Sequence, residues 1–338
     1  MDVLSDVLRM IRLHGALFLN GEFRAPWCVD VPTGADLATV LTPGAKRLVV
    51  CHFMLEGACW VKLRGGEPVH LKLGDIVVFP HGDSHLMGSG LQFVPAHIDN
   101  VVQLRIPELN LVRYGGEGER TVIVCGWFTY ESELANPLVA NLPAKFVTAL
   151  DSRPSGPWIR HSIRYVLDQA AGYQAGADVM SAKVAELLFI EALRGYLESL
   201  PPMQTGWLSG LRDPHIGKCL SLLHADPARN WSVEELARTV NVSRSVLAER
   251  FSERVGISPM QYLKQWRLSI AADMLMNQRD GLGQVAASIG YESEAAFSRA
   301  FKQHYGVSPG QWRHGVRAPI STSNSVDAGG GRLPGMWA

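Results

Sequence analysis

Arg299, Glu249 and Glu294 carry the most specific hydrogen-bonding chemistry in this chain. A guanidinium can give two parallel N–H donors to O6 and N7 of guanine, and a carboxylate accepts from N4 of cytosine. Each lies where apolar residues recur at helical spacing and the positions between them are polar or small. Val246, Leu247 and Phe251 define one buried side and leave Ser245, Ala248 and Glu249 facing out; Phe297 and Phe301 do the same for Glu294, Ala295, Ser298 and Arg299. Ala248 and Ala295 offer only a methyl group, which can touch the methyl of thymine. Arg244, Arg250, Lys264, Arg267 and Lys302 stand nearby as partners for phosphate, contacts that position a protein on a duplex without reading its sequence. The competing reading of each of these residues is an ordinary solvated side chain on a helix surface.

The elements that must position them form one pattern written twice. The first copy runs from Trp231 through Phe251 to Pro259, the second from Gln284 through Phe301 to Pro309. Phe251 to Pro259 has the spacing of Phe301 to Pro309, and Tyr262 and Trp312 fall at matching offsets, the mark of two equivalent supersecondary units. In the first copy Val233, Leu236, Ala237 and Val240 give a short helix one apolar face. Asn241 and Val242 turn the chain, and Ser243 can cap the next helix. In the second, Val285, Ala286 and Ile289 pack, Gly290 turns and Ser293 caps. Such a helix-turn-helix lays its second helix in the DNA major groove. Between the copies, Tyr262, Leu263, Trp266, Leu268, Ala271 and Leu275 predict a long helix over 259–277. If it holds the two readers about one turn of DNA apart, roughly 34 Å, one chain reads two successive groove segments. A helical bundle serving protein contacts is the alternative.

These residues resemble the DNA-binding domain of AraC/XylS-type bacterial transcription regulators. The family's signature matches Ala286–Ser293, Phe297–Lys302 and Gly306–Pro309, and the likeness covers Asp213 to Arg317. The resemblance implies double-stranded DNA as partner, and RNA polymerase as well if the regulator activates. It places base contacts at Ser245, Ala248, Glu249, Glu294, Ala295, Ser298 and Arg299; Arg244 and Lys302 are backbone candidates by their charge and position alone. The two alanines depart from the longer polar side chains often found there. Charge is divided in the matching sense: the chain is formally neutral, yet residues 212–317 hold 14 Lys and Arg against 10 Asp and Glu. A net of +4 gives this part an electrostatic reason to approach phosphate, and makes binding salt-sensitive.

The N-terminal half reads as β structure: short apolar or alternating runs at 47–54, 57–63, 67–73, 75–79 and 121–128, broken by Gly, Pro and Asp. Gly74-Asp-Ile-Val-Val-Phe-Pro80-His-Gly82-Asp-Ser-His85 resembles the second motif of the cupin barrels, and His52-Phe-Met54-Leu-Glu56-Gly57 stands where the first would fall, with Met54 at the place of a metal-binding histidine. The cupin likeness puts His52 and His85 at ligand positions. Cys125, on a later strand, could complete a soft site for zinc or another transition metal, with His81 a weaker candidate. Three further readings remain beside metal binding: a thiol sensor, hydrogen-bonded core histidines with a small buried cysteine, and an organic effector held without metal.

The expected fold is α+β: a cupin-like sensor barrel over 1–150, a helical dimerisation or linker region over 151–211, an all-α domain with two helix-turn-helix units over 212–317, and a disordered tail over 318–338. The apolar run from Ser181 to Leu197 resembles the helices through which this family forms homodimers; packing wholly against its own barrel is the competing account. Five scattered cysteines do not form a disulfide framework, no run of eighteen apolar residues suggests a membrane span, and no signal segment opens the chain, so the expected location is the cytoplasm. The expected function is a transcription regulator responding to a small effector, metal or oxidant. A cupin metalloenzyme with an appended DNA-binding module is the alternative, disfavoured by the missing His-x-His pair.

Overall fold

The computed structural model describes residues 3–11, 13–43, 45, 48–101, 110–130, 139, 142–172, 174–201, 207–277 and 279–315. The predicted tail, 318–338, lies outside them. The strands in chain order are β1 (Leu13–Arg24), β2 (Cys28–Val31), β3 (Val49–Glu56), β4 (Ala58–Leu63), β5 (Val69–Lys72), β6 (Asp75–Phe79), β7 (His85–Gly88), β8 (Ala96–His97), β9 (Asn110–Gly115), β10 (Arg120–Tyr130) and β11 (Phe146–Ala149). The helices are α1 (Val3–Ile11), α2 (Gly34–Leu41), α3 (Ile98–Val101), α4 (Gly156–Ala171), α5 (Ala177–Ser199), α6 (Trp207–Gly210), α7 (Pro214–Ala225), α8 (Val233–Thr239), α9 (Arg244–Val255), α10 (Pro259–Asn277), α11 (Leu282–Ser288), α12 (Glu294–Tyr305) and α13 (Pro309–Arg313).

Among the described residues the expected barrel takes the form of two sheets over a shared core. One has the order β11-β6-β3-β10-β1-β9 and the other β5-β4-β7-β2-β8. Met54, Val77, Phe79, Ile123 and Cys125 of the first sheet and Val29, Cys59, Val61, Leu71 and Met87 of the second belong to one buried cluster. Strand β3 is apolar on both sides because both are covered. Its even residues meet the second sheet, while helix α5 packs across the outer side of the first. Phe128 and Phe189 rings lie 5.3 Å apart there, and Thr148 Oγ1 donates to the Ala192 carbonyl at 2.8 Å. The helix comes this close because Gly195 carries no Cβ, which would lie 2.2 Å from Thr148 Cγ2. Each phenylalanine buried here contributes about 1.5–3 kcal/mol relative to exposure.

Much of the apolar run of α5 is covered within its own chain, Leu188, Phe189, Ala192, Leu193 and Leu197 being buried, while Val184, Leu187 and Ile190 are half-buried. What stays exposed is Trp158 at 56% and Tyr165 at 48%, seven residues apart on α4, together with Val179 at the start of α5.

Contacts divide the chain into two compact units: residues 1–226 with 231–262, and residues 227–230 with 263–338. The first contains the sheets and the first helix-turn-helix copy, the second contains the second copy.

Candidate functional site

The two reading heads are built as their residues dictate. In the first, Ser232 caps α8 by accepting from Glu235 N–H, Asn241 adopts φ 59°, and the Ser243 hydroxyl accepts from Val246 N–H to open α9. An asparagine bears that left-handed turn better than most residues. Leu236, Ala237, Val240, Leu247 and Phe251 are buried, and the Phe251 ring meets Tyr262 edge-on at 5.9 Å. Val246, expected to be buried, is 45% exposed. It lies about 100° around the helix from Leu247, off the stripe that faces α7 and α8. Ser245 and Glu249 are exposed and Ala248 is half-buried.

In the second head Gln284 and Gly281 form the capping turn of α11, and Ser293 caps α12 by accepting from Ala296 N–H. Gly290 has φ 80°, and a Cβ there would sit 2.2 Å from the Ala228 carbonyl oxygen, so only glycine makes this turn. Val285, Ala286, Ile289, Phe297 and Phe301 are buried. Glu294, Ala295, Arg299 and Lys302 are exposed and Ser298 is half-buried. Trp312 closes the core, its Nε1 donating to the Ala272 carbonyl at 3.2 Å.

Not every basic candidate is free for phosphate. Arg267 gives its N–H groups to the carbonyls of Pro227, Ala228 and Arg229, and Arg250 pairs with the buried Asp213 at 2.7 Å. Arg267 is occupied holding its domain together, a correction to the sequence reading, whereas Arg250 gives one of its five donors to Asp213 and, partly exposed, keeps others for phosphate. Lys264 reaches Gln303 at 3.3 Å. Arg244 pairs at 2.8 Å with Glu234, but both side chains are well exposed, so this pair is worth little and yields readily to a phosphate.

In the sheets, the register of β3 against β10 places His52 directly opposite Cys125, and β7 brings up His85. His52 Nδ1 lies 2.9 Å from Cys125 Sγ, and His52 Nε2 lies 2.9 Å from His85 Nε2. His85 Nδ1 lies 2.9 Å from the carbonyl oxygen of Asp83. A carbonyl only accepts, so His85 donates from Nδ1 and, being neutral, presents a lone pair at Nε2. His52 then donates from Nε2 and accepts at Nδ1 from the Cys125 thiol. The result is a hydrogen-bonded wire with one direction: Cys125 to His52 to His85 to Asp83.

Burial supports the neutral forms. It pushes the Cys125 thiol well up, drives His52 well below the usual imidazole range, and lowers His85 to about 4. His52, His85 and Cys125 are thus brought together as predicted, but not around a metal ion. His52 sits in the middle and spends its two ring nitrogens in opposite directions, and one ring cannot offer both to a single ion. Among the described residues no three His, Cys, Asp or Glu side chains converge as a metal cage. A thiol held protonated in the core is also a poor nucleophile. The residues present do not fit zinc or another transition metal, and His81 points elsewhere, its Nε2 3.0 Å from the Leu142 carbonyl. Asp83, the end of the wire, escaped the sequence reading because it takes part through its main chain.

Comparison with known proteins agrees with this division. The cupin family pattern matches residues 2–198, more than half of the chain, and a helix-turn-helix domain pattern matches residues 236–315. An AraC-like transcription regulator of Streptomyces antibioticus is 33% identical over 93% of this chain and 98% of its own length. The regulator AlkR of Acinetobacter baylyi is 28% identical over 93% and 99%, and RclR of Escherichia coli, an RCS-specific transcriptional activator by its name, is 26% identical over 94% and 99%. Among solved structures, the DNA-binding domain of AdpA in complex with a target DNA is 26% identical, covering 30% of this chain and 92% of that one at a TM-score of 0.29.

Proposed function

Because the chain belongs to the AraC family of transcription regulators, carrying a cupin domain ahead of its helix-turn-helix domain, we propose that it reads DNA through Ser245, Ala248 and Glu249 of α9 and Glu294, Ala295, Ser298 and Arg299 of α12. It is a DNA-binding transcription regulator, and its full-length relatives are regulators rather than enzymes. The observation that carries the residue assignment is the duplicated cap, turn and buried aromatic, which leave the same stripe outward in both copies. Arg244 and Lys302 supply phosphate contacts, while Ala248 and Ala295 can touch only thymine methyls, so fewer bases are read directly.

Arg299→Ala is expected to cost about 1–3 kcal/mol of specific binding and to relax preference at one base pair. Competition titrations against single-base variants of a selected site check this. A loss of equal size on every sequence would leave Arg299 as a phosphate contact only.

On the same reading, residues 1–150 sense a small effector, 151–211 link and dimerise, and 212–317 bind DNA. The protein acts in the cytoplasm, and with RNA polymerase if it activates. Among the described residues no helix is long and apolar enough to cross a membrane. The exposed Trp158 and Tyr165, seven residues apart and so on one face of α4, offer apolar surface suited to a second copy of this chain. Trp158→Glu is then expected to turn a dimer into a monomer in sedimentation-velocity runs, without loss of secondary structure. A wild-type chain that sediments as a monomer at tens of micromolar (roughly, for a stable homodimer) removes this assignment.

A further inference from the structure

Met54, Cys59, Val61, Leu71, Val77, Phe79 and both histidines of the wire are buried between the two sheets. Beside this core, a cleft of about 660 Å³ opens at the connections that follow β2, β4 and β6. That is within the range of small-molecule sites. Ala35, Arg64, His81, Asp83 and Ser84 line it. Arg64 gives one N–H to Asp30 at 3.2 Å and, with five donors, keeps others for a ligand. The 81–84 turn is held as one piece with the start of α2, since Gly34 N–H donates to the Gly82 carbonyl at 2.7 Å and neither glycine has room for a Cβ.

The same turn ends the buried wire. Asp83 faces the cleft and accepts the His85 hydrogen bond through its carbonyl. At the far end, Cys125 lies on β10 opposite Leu19, where the pairing of β1 slips between Leu17 and Leu19. Beside this bulge the Leu17 N–H donates to Ser181 Oγ at 3.1 Å and its carbonyl accepts from the same hydroxyl at 3.3 Å. Ser181 belongs to α5. The hydrogen-bonded wire thus runs from the cleft through His85 and His52 to Cys125, and the strand paired there, β1, meets the helix that precedes the DNA-binding region two residues away, at Leu17.

We propose that this cleft is the effector site of the regulator, taking a small organic molecule whose carboxylate pairs with Arg64, and that His85, His52 and Cys125 transmit its occupancy to α5. The proposal rests on the regulator reading above. Its polar groups fit such a ligand: a guanidinium for the carboxylate, with Ser84 and Asp83 for hydroxyl or amino groups on the remainder. A ligand that moves the 81–84 turn moves the acceptor of the wire, and buried hydrogen-bonded groups do not tolerate losing a partner. They shift together or not at all.

The test uses the full chain and a DNA site selected by it from a random-sequence pool. All five native cysteines are buried, so Ala35→Cys places one reachable thiol in the cleft. Labelling it with a sulfonatoethyl methanethiosulfonate attaches an anion within reach of Arg64. The expected result is a change of about fivefold or more in DNA affinity. It should be absent with the trimethylammonium reagent, absent after Arg64→Ala, and absent in a Cys125→Ala background that still takes the label. Unchanged affinity with the sulfonate, equal effects of both reagents, or the same effect from the label on Val94→Cys, a 90% exposed position, overturns the proposal. In those cases the unlabelled chain still binds its site and the regulator reading survives. Failure to select any DNA sequence sinks both.

Discussion

Phe301→Ala is expected to remove about 3–5 kcal/mol of stability from the second reading head, the cost of emptying a fully buried aromatic site. Phe301 is the hub of that head: its ring centroid lies 5.5 Å from Phe297, 4.6 Å from Tyr305 and 5.7 Å from Trp312. Little else surrounds this core, because the unit that holds it is the smaller of the two. A loss of that size is comparable with the whole stability of so small a unit, about 0.05–0.15 kcal/mol per residue. The head should unfold while the sheets persist. Hydrogen exchange over 284–312 should rise to the unprotected rate, strand amides in β3 and β10 should stay protected, and sequence-specific DNA affinity should fall to the non-specific level. Protection of α12 equal to wild type would mean that Phe301 is not the keystone described.

The second large effect concerns acid. His85 is neutral in the folded chain, its affinity for a proton lowered by burial to a value of about 4, against 6.5 in an unfolded chain. Below 6.5 the unfolded state therefore binds a proton that the folded state refuses. This contribution is fully present above pH 6.5 and is lost as pH falls towards 4, a change of about 3 kcal/mol. Geometry gives the same sign: a proton on His85 Nε2 would face the N–H of His52 across 2.9 Å, two donors with no acceptor. His52 is depressed further by burial and by His85, and His224, buried 2.7 Å from the Tyr262 hydroxyl, is lowered to about 3. Both act in the same direction. Urea unfolding at pH 7.5, 5.5 and 4.5 should show stability dropping steeply below 6.5, and His85→Gln should flatten part of that slope. A profile with no slope across this window, or one that His85→Gln leaves unaltered, contradicts the neutral wire.

Much of the helix-turn-helix region is legible in the amino-acid sequence. The caps Ser243 and Ser293, the turns at Asn241 and Gly290, and the buried Phe251, Phe297 and Phe301 are all where their spacing places them. Each depends on neighbours within four or five residues along a helix. Val246 shows the limit, since periodicity alone does not say how wide the covered stripe is. Arg250 and Arg267 show another: a surface cation and one that clamps Asp213 or a row of carbonyls look alike in sequence.

By itself, the amino-acid order determined that this chain carries two matched DNA-reading heads behind a β-rich domain, because helix caps, turns and apolar repeats are short-range devices. Only the tertiary structure decided what His52, His85 and Cys125 do. They lie 33 and 73 residues from His52 along the chain and meet through strand register. Register sets which ring nitrogen faces which partner, and that orientation makes the three a proton-ordered wire in place of a metal cage. The arrangement of two sheets in place of a closed barrel and the turning of α5 onto its own sheet come from the same source, the packing of surfaces distant in sequence.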